Sequence, residues 1–246
     1  MDDHDRGLAY DLESLSRRKL LGLLAGVTLV GLSTRLGAGP PAPRRLALPG
    51  AIPEETAGPF PADGSNRFNV LGESGLVRSD MRASFGSLHG RAEGEPVTVE
   101  LQLVDRLEHQ PLPGYAVYLW HCDRGGKYSL YEVAEQNYLR AVQVADARGV
   151  VRFQTIFPGC YAGRWPHMHF EVFRELAAAR WQNALSTSQL ALPAEACRSI
   201  YAQARYAGSR AHFESLSLDQ DVVFADGHDR QLARLEGGRI FLQVPV

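Results

Sequence analysis

Two histidines separated by one residue, His167 and His169, are the clearest metal-binding feature of the sequence. They lie in the run Pro-His-Met-His-Phe at 166–170. In a β-strand, side chains two residues apart point to the same face. Imidazole nitrogen binds zinc, copper, iron and nickel alike. The pair alone is also typical of ordinary surface or core histidines, so other residues must support a metal site.

Two tyrosines come just after turn sequences, each with one residue between. Tyr161 follows a Pro-Gly dipeptide and Tyr128 follows a Gly-Gly dipeptide. Both dipeptides favour tight turns, which would present each tyrosine at the end of a strand. Two strand ends thus present a tyrosine each, and Tyr128 and Tyr161 are candidates to join His167 and His169 as ligands of one metal ion. The alternative is that both tyrosines are rim aromatics that cover the end of a β-sandwich.

The charge of the ligands favours iron(III) over other metals. A free tyrosine has a pKa of about 10, so a phenolate at neutral pH needs a strong Lewis acid. Two phenolates and a hydroxide would cancel the charge of a trivalent ion, which a low-dielectric pocket tolerates. Zinc more usually takes cysteine, histidine or carboxylate ligands, and ferrous sites need a carboxylate. A zinc or ferrous enzyme that uses His167, His169 and Glu171 therefore stays as an alternative.

Strands dominate the pattern that must position these residues. Val97 to Leu103 alternates apolar and polar residues, which is typical of a half-buried strand. Short strands separated by turn residues, with one helix predicted at 193–203, indicate a mainly β fold. The expected architecture is an antiparallel β-sandwich core with one short helix and long loops, preceded by a signal segment. The predicted strands are 97–103, 115–120, 149–156, 168–173, 222–224 and 240–244.

The N-terminal region resembles an export signal. Arg17 and Arg18 directly precede an apolar run at 20–32, which is short for a membrane span. We predict a twin-arginine-type signal segment at 1–39, a linker at 40–55 and a β-sandwich domain at 56–246. The protein is then periplasmic or extracellular, or membrane-anchored if the segment is not cleaved. The alternative is a buried helix with a chance arginine pair.

The composition excludes several classes of protein. The chain has 246 residues, of which 45% are hydrophobic and 22% are charged, as in soluble globular proteins. A net charge of -2 gives no basic excess for binding nucleic acid. The three cysteines, an odd number with no CxxC pair, do not suit a disulfide framework or a zinc knuckle. Membrane contact is expected only through the signal segment.

Long motifs around the four predicted ligands resemble a known family. The runs GYAVYLWHCDRGGKYS and NYLRAVQVADARGVVRFQTIFPGCYAGRWPHMHFEVF contain all four, and ETAGPF, STSQLALPAEACRSIY and VFADGHDRQLA extend the likeness over residues 53–246. They resemble the intradiol ring-cleavage dioxygenases, relatives of the catechol and protocatechuate 3,4-dioxygenases. The exported branch, in which the second tyrosine lies just before the histidine pair, is the most similar. Cys160 and Ala162 depart from the family pattern.

The resemblance implies roles for the site residues. Tyr128 and His167 would be equatorial ligands of Fe(3+), and Tyr161 and His169 axial ligands. Tyr161 would also accept a substrate proton as it leaves the metal.

Two further residues receive roles by the same resemblance. Arg164 would stabilise negative charge as the ring is attacked, whereas the alternative is a surface arginine paired with an acid such as Glu171. Gln189 would line the pocket.

The resemblance also implies a reaction and its partners. The substrates would be a small catechol-type aromatic diol and O2, and the ring would open between its two hydroxyl-bearing carbons to give a muconate-type diacid. A homo-oligomer is compatible with the resemblance, since dimers and larger assemblies occur in similar proteins. An alternative from another class is a non-catalytic exported β-sandwich that binds sugars or a cell-wall partner.

Overall fold

A computed structural model describes residues 48–246 of the chain. The predicted signal segment at 1–39 and the first part of the predicted linker, 40–47, lie outside the described residues. Within 48–246, no helix has the length and apolar character needed to cross a membrane. The end of the predicted linker packs on the domain, because Ile52 is buried and its N–H donates to the carbonyl of Pro245.

Eight strands form two four-stranded sheets in the described part of the chain. One sheet has the order β4-β1-β8-β7 and the other the order β3-β2-β5-β6. The strands are β1 (Pro96–Val104), β2 (Ala116–Trp120), β3 (Arg140–Val144), β4 (Val150–Ile156), β5 (His167–Phe173), β6 (Ser186–Ala191), β7 (Arg234–Glu236) and β8 (Arg239–Pro245). The predicted mainly β sandwich is therefore confirmed.

The main hydrophobic core lies between the two sheets. In β1 the alternating residues Val97, Val99, Leu101 and Leu103 are all buried there, as the period-two pattern predicts. β1 pairs antiparallel with β4, and Leu101 lies opposite Val151. This alternation holds one face of β1 against the second sheet.

One strand pair departs from the expected antiparallel arrangement. β8 pairs with β1 in parallel, with Leu101 opposite Leu242. A parallel pair joins strands that are distant in the chain, so turn sequences give no information about it. The C-terminal strand reaches this position after the chain has completed the second sheet.

Two α-helices occur among residues 48–246, α1 (Ala194–Tyr201) and α2 (Ala207–Phe213). The predicted helix at 193–203 matches α1, with Pro193 as the N-terminal cap. Helix α2 was not predicted, because Gly208 and Ser209 have low helix propensity. Its buried Ser209 and Phe213 show that tertiary packing supports it. Short 3-10 helices lie at Leu176–Ala178, Trp181–Asn183, Ala204–Tyr206 and Leu218–Gln220.

The strand predicted at 222–224 is wrong. Residues 221–226 form turns. The carboxylate Oδ1 of Asp221 accepts hydrogen bonds from the N–H groups of Val223 and Phe224, at 2.8 and 3.3 Å. Such local side-chain bonds compete with pairing in a sheet. Strands β3, β6 and β7 were not predicted. The sequence of β6 begins with Ser-Thr-Ser-Gln, which shows no alternation of apolar and polar residues.

Removing the side chain of Leu101 is expected to destabilise the sandwich by about 2–5 kcal/mol, because it leaves a cavity in a closed core. Leu101 is completely buried between the sheets. The matched control Thr98→Ala, on the other face of β1, should cost less than about 1 kcal/mol. Urea unfolding of Leu101→Ala and Thr98→Ala would measure both. Equal losses would contradict the assigned core face.

Candidate metal centre

The site lies on the outer face of the sheet that contains β2 and β5. Met168 and Phe170 point inward, to the core between the sheets. His167 and His169 alternate with them and therefore point outward. On that face Trp120, the register partner of His169, stacks on the His169 imidazole with ring centroids 5.1 Å apart. Every residue of β5 is buried, so the outer face is covered as well.

The two tyrosines are carried by loops that are bonded to each other. The carbonyl of Asp123 accepts from the N–H groups of Gly126, at 3.0 Å, and Gly159, at 2.8 Å. The first bond closes the turn before Tyr128, and the second joins that turn to the one before Tyr161. Gly126 has a φ of 82°, and a Cβ there would lie 3.1 Å from Cβ of Tyr161. A glycine is therefore needed where the loops meet.

The histidine nitrogens and the Tyr161 hydroxyl converge on one point. Nε2 of His167 lies 3.1 Å from Nε2 of His169 and 3.2 Å from Oη of Tyr161. Nδ1 of His167 lies 2.5 Å from the carbonyl of Trp165. A carbonyl only accepts, so Nδ1 carries the proton and Nε2 presents a lone pair to the site. This is the tautomer that a metal-binding imidazole needs.

The Tyr128 ring lies next to this cluster. Its ring centroid lies 6.1 Å from that of Tyr161 and 6.2 Å from that of His169. Its hydroxyl is buried without a hydrogen bond of normal geometry. Burying an unpaired hydroxyl costs free energy. The structure thus brings all four predicted ligands together, and these four side chains could hold a metal ion.

Burial sets the protonation states of the four side chains. It lowers the pKa of His167 and His169 well below the ordinary value, and the charge of Arg164 adds to the shift at both. Both imidazoles are therefore neutral, with lone pairs to share. Burial also raises the pKa of Tyr128 well above its ordinary value, and the nearby Tyr161 adds to this. A phenolate at Tyr128 therefore requires a bound cation.

The segment 56–63 covers His169. Gly58 has a φ of 72°, and a Cβ there would lie 3.2 Å from Cε1 of His169. Two carbonyl groups of this segment accept hydrogen bonds from side chains of the sheet. Thr56 O accepts from Nε2 of Gln189 at 2.9 Å, and Pro61 O accepts from the hydroxyl of Tyr118 at 2.7 Å. Only glycine lets the backbone approach the imidazole this closely.

Arg164 and Gln189 lie together beside the histidines. Nη2 of Arg164 donates to Oε1 of Gln189 at 2.7 Å, and Gln189 is the β6 partner of His169. The alternative of a surface arginine is wrong, because the Arg164 side chain is fully buried. It does pair with an acid, and that acid is Asp221, whose Oδ2 lies 3.0 Å from Nε.

Three residues near the site carried no functional prediction. Trp120 is completely buried and stacks on the His169 ring. The carbonyl of Thr56 and the carboxylate of Asp221 were missed. A short acidic side chain before a turn is a common local pattern, so only its distant partners distinguish Asp221. Cys160, where the sequence departs from the family pattern, points into the inter-sheet core.

Glu171 does not join the histidines in a metal site. No group of three or more His, Cys, Asp or Glu side chains within 48–246 is arranged to hold a metal ion. Oε1 of Glu171 instead lies 3.4 Å from the hydroxyl of Thr187 on β6. The alternative zinc or ferrous site with His167, His169 and Glu171 is therefore not supported. The three cysteines are all free and buried.

Comparison with known proteins identifies the family. Residues 79–217, more than half of the chain, match the model of a family described as dioxygenase. The chain belongs to the intradiol ring-cleavage dioxygenase family. A catechol 1,2-dioxygenase from Pseudomonas sp. (strain EST1001) is 33% identical over 70 residues, which are 28% of this chain and 23% of that protein. The aligned part is thus less than a quarter of that relative.

Solved structures of intradiol dioxygenases share the fold. An intradiol ring-cleavage dioxygenase from Tetranychus urticae matches with a TM-score of 0.59 and 23% identity, over 74% of this chain and 90% of that chain. A catechol 1,2-dioxygenase from Pseudomonas arvilla C-1 matches with a TM-score of 0.53 and 18% identity, over 98% and 69%. At these sequence identities the structural similarity shows that the fold is shared.

Acid is expected to destabilise the metal-free protein through its buried histidines. Burial lowers the pKa of His121 to about 4, against about 6.5 when unfolded. Between these values only the unfolded chain binds the proton, so stability falls as the pH is lowered. The loss is about 1.4 kcal/mol per pH unit for each such histidine.

Urea unfolding at about pH 7 and about pH 5 would measure the free energy of unfolding that is lost between these two pH values. For His121→Gln this loss should be about 2 kcal/mol smaller than for the wild type. His89 is exposed, so His89→Gln serves as the control and should lose as much as the wild type. An equal loss in all three proteins would contradict the assignment of a neutral buried His121.

Proposed function

We propose that this protein is a non-haem iron(III) intradiol dioxygenase. It cleaves a catechol-type ring between its two hydroxyl-bearing carbons with O2 and gives a muconate-type diacid. The observation that carries the proposal is the convergence of two buried imidazoles and two buried phenol groups, with Nε2 of His167 within 3.2 Å of both Nε2 of His169 and Oη of Tyr161. Family membership supports the reaction class.

Ferric iron fits this set of ligands. The buried Tyr128 hydroxyl has no hydrogen bond of normal geometry, and burial opposes its ionisation. A trivalent cation would supply the missing partner and stabilise the phenolate. Two phenolates and two neutral imidazoles leave one positive charge, which a hydroxide or a substrate oxygen can neutralise. When bound, the iron supplies Lewis-acid chemistry that makes the ring of the bound catechol reactive towards O2.

The side chains of the site have separate tasks. Tyr161, as a phenolate, is placed to accept a proton from a substrate hydroxyl at its Oη atom. The guanidinium of Arg164 provides a fixed positive charge for the negative charge that develops on the ring. Gln189 holds that guanidinium through its Oε1 atom. The segment around Gly58 lies against His169 and shields it from water.

Aromatic side chains next to Tyr128 suit a flat ring substrate. The Phe60 ring lies 5.0 Å from those of Tyr128 and Tyr131, and the Phe68 ring lies 4.9 Å from that of Tyr131. Aromatic groups pack favourably on one another in such tilted and edge-to-face arrangements. This supports a catechol-type aromatic diol as the substrate class.

Removing one ligand is expected to abolish turnover and change the colour of the protein. Ferric tyrosinate absorbs visible light, so the iron-loaded wild type should be red-brown. Tyr161→Phe should shift or weaken this band, and His169→Ala should lower the iron content. Catechol turnover should fall by at least about 1.4 kcal/mol of transition-state stabilisation, a factor of ten or more, in both variants. Metal analysis, absorption spectra and O2 uptake would measure these effects.

Tyr115→Phe is the matched control for these variants. Its hydroxyl bonds Arg174 at an exposed position, so its loss should leave iron content, colour and turnover unchanged. If neither Tyr161→Phe nor His169→Ala changed iron content or turnover, the proposed site would be wrong. A colourless protein with stoichiometric zinc would support the zinc alternative instead. Specific binding of a sugar without catechol turnover would support the binding module.

We also propose that the protein is exported by the twin-arginine pathway. Replacing both Arg17 and Arg18 by lysine is expected to retain the protein in the cytoplasm, because that pathway requires the arginine pair. The chain offers a matched control in its second pair, Arg44 and Arg45, where the same replacement should leave export intact. Immunoblots of cell fractions would measure this. Export of the first double variant at the wild-type level would contradict the proposal.

A further inference from the structure

One buried carboxylate, that of Asp221, contacts two separate parts of the metal centre. Its Oδ2 accepts from Nε of Arg164 at 3.0 Å and from the backbone N–H of Trp165 at 2.6 Å. Its Oδ1 accepts from the N–H groups of Val223 and Phe224. Neither side chain of the Arg164–Asp221 pair is exposed to solvent. Four donors therefore hold this carboxylate in one orientation.

The first branch from Asp221 runs through the side chain of Arg164. With Nε held by the carboxylate, the guanidinium plane is fixed and Nη2 reaches Oε1 of Gln189 at 2.7 Å. Gln189 in turn donates to the carbonyl of Thr56 at 2.9 Å, in the segment that covers His169. Because a guanidinium is planar, the bond at Nε determines where Nη2 points.

The second branch runs through the backbone of Trp165. Its N–H donates to Asp221, and its carbonyl accepts from Nδ1 of His167 at 2.5 Å. That carbonyl determines the tautomer and the orientation of the His167 ring. Phe224, whose N–H also bonds Asp221, places its ring 6.5 Å from the His167 ring. The outer hydrogen-bond partners of metal-binding histidines commonly control metal affinity.

We propose that Asp221 is a positioning residue of the metal centre. Its carboxylate aligns Arg164 with the substrate site and His167 with the metal. It acts through these two residues and touches neither the substrate nor the iron. The inference rests on the proposed function for its effect on turnover. Its effect on the His167 hydrogen bond does not depend on that function.

Asp221→Asn keeps the shape of the side chain and removes its charge. We expect kcat for catechol to fall about 10–100-fold and the iron affinity, measured by chelator competition, to fall by a similar factor. The visible band of the iron-loaded protein should move. In the metal-free protein, the NMR signal of the His167 Nδ1 proton should exchange faster with water, because the Trp165 carbonyl is no longer held.

Two controls separate positioning from general stability. Leu101→Ala lowers the melting temperature through the core between the sheets and should leave the band, the iron affinity and the His167 proton unchanged. Glu93→Gln removes the carboxylate of an exposed pair with Arg124 and should change nothing. If Asp221→Asn matched Leu101→Ala, losing stability alone, Asp221 would be only a structural residue and the proposal would be overturned.

A second variant covers the case in which Asp221→Asn does not fold. Asp221→Glu keeps the charge and displaces it by one methylene, so it should fold, move the visible band and lower kcat more than it changes KM. Wild-type values for Asp221→Glu in all readouts would overturn the proposal. If the wild type turned over no catechol, the proposed function would fail, while the His167 proton in the metal-free variants would still decide the role of Asp221.

Discussion

Both faces of β5 are buried, and the rest of the site depends on how the outer one is covered. The inner face packs in the core between the sheets, whereas the outer face carries His167 and His169. Neutral imidazole lone pairs and an unbonded phenol are costly to hide from water unless a partner is supplied. A bound cation is such a partner. The covering segment at 56–63 and the two tyrosine loops therefore enclose a polar pocket whose groups suit a cation.

Backbone carbonyls accept the hydrogen bonds that hold this cover in place, and those of Thr56 and Pro61 accept from side chains of the sheet. The carbonyl of Asp123 joins the two tyrosine loops, and the carbonyl of Trp165 orients His167. Gly58 and Gly126 let the backbone approach the ligands closely. Such a frame tolerates changes on the solvent side. It is sensitive to any added atom at the contact points, since buried backbone groups have no other partners.

A buried ion pair, Arg164 with Asp221, lies beside the histidines. Arg164 is a fully buried cation, and a lone buried charge would be very costly. The carboxylate of Asp221 neutralises it and also binds two backbone segments. The positive charge thus remains close to the histidines, where it helps to keep them neutral. The same carboxylate therefore neutralises Arg164 and binds the backbone N–H of Trp165.

The sequence by itself determined the strand β1 and the helix α1, because periodicity and helix-start residues are properties of neighbouring residues. Its long motifs, through their resemblance to the family, named the four predicted ligands. The tertiary structure decided what no local pattern contains: the parallel β1–β8 pair, the polar strand β6, and the turn at 221–226 in place of a strand. It also decided the partners of Arg164 and His167. Asp221 lies 57 residues from Arg164 in the chain, and only folding brings the charge and its partner together.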